Sequence, residues 1–146
     1  LVDSFSHSDV NGYMLLGRLY LSLSYMVRKA PGRELVAQGY VIRAQEFVRN
    51  NYSYDIGVGE IARHVGIDRT YLYRIFRQQV GQSPKAYLTD FRLRTSAGML
   101  SGTRLSVTEI ALSCGFKEAS LLNRHFREAY RCTPLQYRSK EGASWK

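Results

Sequence analysis

The chain has 146 residues, 45% of them apolar, and 21 basic against 12 acidic side chains give a net charge of +9. That length buries enough surface to dispense with a metal or disulfide staple, which excludes the small cross-linked scaffolds. The charge is uneven: residues 1–34 carry four basic and three acidic groups, whereas residues 35–146 carry seventeen and nine.

Sixteen of the basic residues are arginine, whose planar fork fits phosphate and guanine. Cys114 and Cys132 are the only cysteines. They form no CxxC pair and no His stands at a zinc-ligand spacing, so neither metal nor cofactor is expected. Cys114 occupies an apolar helical position and reads as a small buried residue, a usage that fits a reducing cytoplasm. There is no signal peptide pattern. The apolar stretch Tyr13–Val27 contains Arg18 and is shorter than the roughly 20 residues that cross a bilayer. A soluble, cytoplasmic protein without membrane contact is expected.

Residues 1–12 are polar and aperiodic, as in a frayed end. Tyr13–Lys29 reads as a helix with apolar residues over more than half its circumference. A surface helix needs only a stripe, so this one is expected to meet another helix or a second copy of itself, making Tyr13–Val27 the candidate homodimer contact. Ala30–Arg33, with Pro31 and Gly32, reads as a break. Gln38–Asn51 is the next helix, with Val41, Ile42, Gln45, Phe47 and Val48 mixing core and surface positions. Gly57 and Glu60 suit the start of another. Ser83-Pro84 opens a long helix, with serine as N-cap and proline in the first helical position. It runs to about Leu100, a length of about 25 Å. Ser106 and Glu109 have the spacing of a capping box. Thr133-Pro134 repeats the Ser83-Pro84 start, and the residues after Lys140 read as a disordered tail. No alternating pattern suggests a strand, so the fold class is all-α.

The chain also repeats itself. Val58, Glu60, Ile61, Ala62 and Gly66 match Val107, Glu109, Ile110, Ala111 and Gly115 at an offset of 49. At an offset of 50, Leu72, Arg74, Phe76, Arg77, Pro84 and Tyr87 match Leu122, Arg124, Phe126, Arg127, Pro134 and Tyr137. Two copies do not make a solenoid, which needs three or more. Each copy has the form helix, glycine turn, arginine-bearing helix, the pattern of a DNA-binding helix-turn-helix. Gly66 and Gly115 supply the left-handed turn.

On a helical wheel, Leu72, Ile75, Phe76 and Gln79 share the inward side of the first arginine-bearing helix. Thr70, Tyr73, Arg74 and Arg77 lie opposite, at i, i+3, i+4 and i+7. In the second, Leu122, His125, Phe126 and Ala129 turn inward, leaving Ser120, Asn123, Arg124 and Arg127 outward. A single arginine would read as an ordinary solvated charge, but matched positions in two helices favour a major groove, where Arg can grip guanine twice. A hydroxyl near a helix start, and the helix N-terminus itself, suit phosphate.

These residues resemble the AraC/XylS family of bacterial transcription regulators over roughly Val41–Ser139. The strongest parts are EIARHVGIDRTYLYRIFRQQVGQSPKAYLTDFRLRTSAGML at 60–100 and SVTEIALSCGF, NRHF and TPLQY within 106–137. The resemblance implies two helix-turn-helix subdomains at about 57–80 and 106–130, joined by a linker helix at about 84–100. Together they form a DNA-binding domain over 35–140. Residues 1–34 would be the end of a dimerisation segment, in a chain cut from a longer regulator, and 141–146 a tail. It further implies Arg69, Thr70, Tyr73, Arg74 and Arg77 on the first recognition surface. Ala119, Ser120, Leu121, Asn123 and Arg124 would form the second, with Arg127 beside it. Double-stranded DNA and RNA polymerase are the implied partners, activation the implied role, and the nucleoid the implied location. The chain departs from the family pattern at Leu121-Leu122, where an aromatic pair often stands. It also carries Arg131 in place of a glycine matching Gly81, and His125 at a core-facing position, read as partly buried and not as a metal ligand.

No nucleophile or acid–base constellation and no phosphate loop accompanies His7, His64 or His125, so an enzyme is not expected. A helix-turn-helix module that docks on protein would explain the apolar first helix but not the paired arginine faces. Sequence-neutral DNA binding would explain the charge but not two distinct recognition faces.

Overall fold

The computed structural model describes residues 18–23 and 31–141. Expectations for residues 1–12 and 142–146, and for most of Tyr13–Lys29, lie outside the described residues. Residues 18–23 are helical, with Leu19, Tyr20, Leu21 and Leu23 exposed. Contacts divide the chain into two compact units, Leu1–Gly39 and Tyr40–Lys146.

Every regular element described beyond residue 30 is a helix: α1 (Pro31–Asn51), α2 (Val58–Val65), α3 (Arg69–Val80), α4 (Pro84–Gly102), α5 (Val107–Ser113), α6 (Ala119–Tyr130) and α7 (Pro134–Glu141). The first of these corrects an expectation, because α1 starts at Pro31 and not at Gln38. Proline costs a helix nothing in its first turn, where the N–H has no partner, and its ring already holds a helical φ. From Tyr40 onward α1 buries Val41, Ala44 and Val48 and leaves Ile42 exposed.

In the first helix-turn-helix, α2 buries Ile61, Ala62 and Val65, and α3 buries Leu72, Ile75 and Phe76. The turn between them is made by Gly66 at φ 79°, whose amide donates to the Ala62 and Arg63 carbonyls. The second repeats the plan. Its core joins Leu93, Ala97 and Leu100 of α4 to Ile110 and Ala111 of α5, Cys114, Phe116, and Leu122 and Phe126 of α6. Burying each large side chain here contributes about 1.5–3 kcal/mol. Two positions expected inside are not: Gln79 and Ala129 are exposed. Both lie in the last turn of a twelve-residue helix, beyond Phe76 and Phe126, the last fully buried side chain of each.

The caps follow their spacing. Ser83 Oγ accepts from the Ala86 amide, and Ser106 and Glu109 exchange hydrogen bonds with each other's backbone. Thr133 and Gln136 form a second reciprocal box at the start of α7. α4 is shared: it packs on α3, with Tyr87 5.4 Å from Phe76 across ring centroids, and also on α5, α6 and α7.

A polar clamp adds a tie that no pattern predicts. Arg92, in the middle of α4, donates Nε to the Tyr52 carbonyl and Nη2 to the Tyr54 carbonyl, each at 2.8 Å. Gly115, at φ 80°, stands against the same Tyr52 carbonyl and the same guanidinium. Lys117 pairs with Asp55 at 3.3 Å beside it. Burial pushes the Arg92 pKa down while Asp55 pulls it back, and a guanidinium stays charged regardless. The turn of the second helix-turn-helix is thereby fastened to the loop that precedes the first.

Candidate nucleic-acid interface

α3 begins with Asp68, whose carboxylate accepts from the Thr70 amide at 2.7 Å and more weakly from the Tyr71 amide at 3.4 Å. These bonds, that of Thr70 foremost, hold the Asp68 carboxyl below its ordinary pKa. The start of α3 therefore already holds a carboxylate of its own. α6 differs: its N-cap is Glu118, which makes no side-chain capping bond.

Thr70, Tyr73, Arg74 and Arg77 are all exposed on the side of α3 away from Leu72, Ile75 and Phe76. Tyr73 leaves 52% of its surface in solvent. The Arg74 guanidinium lies over the Tyr71 ring, 5.1 Å from its centroid. Arg69 is exposed too, but its guanidinium folds back against Gly59 of α2. On α6, Ser120, Asn123, Arg124 and Arg127 line one groove with Val107, Thr133 and Leu135. Ala119 and Leu121 are half-buried and packed against the second core, so they present less open surface than their neighbours. Among the described residues, none of Arg74, Arg77, Arg124 and Arg127 belongs to an ion pair.

His125 is 30% exposed, with Nδ1 3.3 Å from a Glu128 carboxylate oxygen and its ring near Phe116. Among the described residues no three His, Cys, Asp or Glu side chains gather to hold a metal, and no helix is long and apolar enough to cross a membrane. Sequence reasoning missed Asp68, although an aspartate directly before a helical run is a standard N-cap signal. It also missed Tyr40 and Tyr71, which support Arg74, and the carbonyl partners of Arg92. Tyr71 and Arg74 stand at i, i+3 on one helix, but the Tyr40 contact and the Arg92 bonds join residues far apart in the chain and leave no local pattern.

Two helix-turn-helix units on a common helix, each with an arginine-bearing outer face, define a bipartite DNA-binding domain. A sequence model described as a helix-turn-helix domain matches residues 61–140. The Msm operon regulatory protein of Streptococcus mutans is 27% identical, over 91% of this chain and 50% of that protein. The lactose operon transcription activator of Staphylococcus xylosus is 26% identical, over 94% and 51%. Among solved structures, the DNA-binding domain of AdpA, a global transcriptional factor in complex with a target DNA, superposes with a TM-score of 0.65. It is 27% identical and covers 75% of this chain and 95% of that one. The chain belongs to the AraC/XylS family of transcription regulators and carries its helix-turn-helix DNA-binding domain. It spans about half the length of the curated relatives it matches. This family consists of regulators, which answers the enzyme alternative.

Proposed function

We propose that the chain is the reading head of a sequence-specific transcription activator, inserting α3 and α6 into successive major grooves on one face of a duplex. One observation carries the proposal: Arg74 and Arg77, and Arg124 and Arg127, are exposed at matched positions opposite two cores that share α4. α4 has 19 residues and so a length of about 28 Å, compatible with grooves about 34 Å apart once the recognition helices add their own offset. Arg74 and Arg124 are the base readers, forking onto guanine. Thr70, Tyr73, Ser120 and Asn123 supply neighbouring contacts, and Arg69, Arg77 and Arg127 neutralise phosphate. Ala119 and Leu121 offer apolar contact at the edge of the groove.

Activation is supported by the relative named a transcription activator, and would require RNA polymerase as a second partner, in the cytoplasm on the nucleoid. The exposed apolar residues of 18–23 support pairing with a second copy of the chain.

The test is binding of R74A and R124A to duplexes selected by the wild type. Each variant loses about 1–3 kcal/mol at one or two base pairs, and in a different half-site. A uniform loss across all sequences would place that arginine on phosphate. Unchanged DNA affinity in the double variant would favour the protein-docking alternative.

A further inference from the structure

We propose that Tyr71, braced by Tyr40 of α1, is a positioning residue for Arg74, which makes α1 part of the reading head although it lies outside both helix-turn-helix units. The inference rests on the DNA-binding function proposed above. Four side chains form an unbroken row. Arg43 lies over the Tyr40 ring at 5.0 Å, Tyr40 meets Tyr71 edge to face at 6.2 Å and 82°, and Arg74 lies over Tyr71 at 5.1 Å.

Each contact has a physical role. Arg74 is exposed, and a free arginine loses rotamer freedom when it grips a base. The face of an aromatic ring attracts a guanidinium and narrows its range before DNA arrives. Tyr71 can do this because it is held itself. It is half-buried, its amide lies near the Asp68 carboxylate, and the edge of Tyr40 meets it. Arg43 completes the row on Tyr40, so both rings carry a cation.

The second half of the chain provides an internal comparison. At the offset of 50, Leu121 stands where the first half has Tyr71. Arg124 therefore lacks the corresponding ring, although it matches Arg74. Asp68 is likewise matched by Glu118, which makes no capping bond. The two reading arginines are equivalent in sequence and differ in support, so the first half-site should be read with greater discrimination than the second.

The experiment measures affinity for a wild-type-selected duplex and for its single-base variants, using the 146-residue chain carrying Y71L, Y71F, Y40L, R74A or Y71L/R74A. Y71L should reduce discrimination about three- to fivefold, the worth of an exposed cation–π contact. The loss should fall on the bases that R74A relaxes, with the second half-site unaffected. Y71F keeps the ring and should behave as wild type, while Y40L should shift the same bases less. Y71L should add nothing in the R74A background. Should Y71L melt early, Y40L and Y71F carry the test. Equal losses at both half-sites, a Y71F defect matching Y71L, or an undiminished Y71L cost in the R74A background would each overturn the inference. If R74A relaxes a base preference and neither Y71L nor Y40L does, this inference alone falls. If the wild type prefers no sequence, the DNA-reading proposal falls with it.

Discussion

Gly66 and Gly115 occupy matched turns at φ 79° and 80°, yet replacing each with alanine should have different consequences. A left-handed backbone costs an L-residue about 1–2 kcal/mol, partly offset by about 0.4–1 kcal/mol from the reduced freedom of the unfolded chain. At Gly66 an added Cβ meets nothing within 4 Å, so G66A should cost only the balance, about 1 kcal/mol. At Gly115 the same Cβ runs into the Tyr52 carbonyl oxygen and lies 2.9 Å from Arg92 Nη2. The carbonyl must move, and with it goes the 2.8 Å bond it accepts from Arg92. A hydrogen bond from a charged donor is worth about 1.5–3 kcal/mol, which, added to the backbone balance, brings G115A to about 2.5–4 kcal/mol. Urea denaturation monitored by circular dichroism reads both values, with the slope serving as the check that the unfolded state is unchanged. Equal losses at the two glycines would refute the clamp, leaving only backbone conformation in play.

Three further outcomes follow from the same structure. Arg131 is exposed and sits at φ 56°, a non-glycine residue in the left-handed region, so R131G should raise stability by about 0.5–1 kcal/mol; a lower melting temperature would contradict this. Asp68, Glu60 and Glu109 accept backbone amides at helix starts, and those bonds lower each pKa. Their contribution is present above the ordinary values of 3.8 for Asp and 4.5 for Glu. It is lost as pH falls below these towards the depressed folded values. D68N and E109Q should therefore flatten the fall in stability below about pH 4.5, and an unchanged acid profile would count against the caps. Cys114 is fully buried, and burial raises its thiol pKa, whereas Cys132 is partly exposed. One thiol per chain should react promptly with a disulfide reagent at pH 8 and the other only on unfolding; two equally fast thiols would refute this packing.

What the sequence disclosed depends on how local each cause is. Ser83, Pro84, Ser106 and Glu109 act within one turn, and their spacing suffices to place α4 and α5. The two glycine turns and the outward faces of α3 and α6 follow from helical period and repetition. The start of α1 lies earlier than the sequence suggests because Pro31-Gly32 can interrupt a helix or begin one, and composition does not distinguish the two. Gln79 and Ala129 share the inward side on a helical wheel, which carries no helix end, whereas full burial on α3 and α6 stops at Phe76 and Phe126. The Arg92 clamp and the Tyr40–Tyr71 pair depend on contacts across 40 and 31 residues of chain, which no window reaches.

The two arginine-bearing faces should read two sites together. Selecting random duplexes on the purified chain, then sequencing them and measuring affinity across a salt series, tests it most directly. Two short enriched motifs about one helical turn apart are expected, with specific binding persisting at physiological salt. Binding that falls steeply with salt and enriches no motif would contradict it, reducing the paired arginine faces to phosphate contacts.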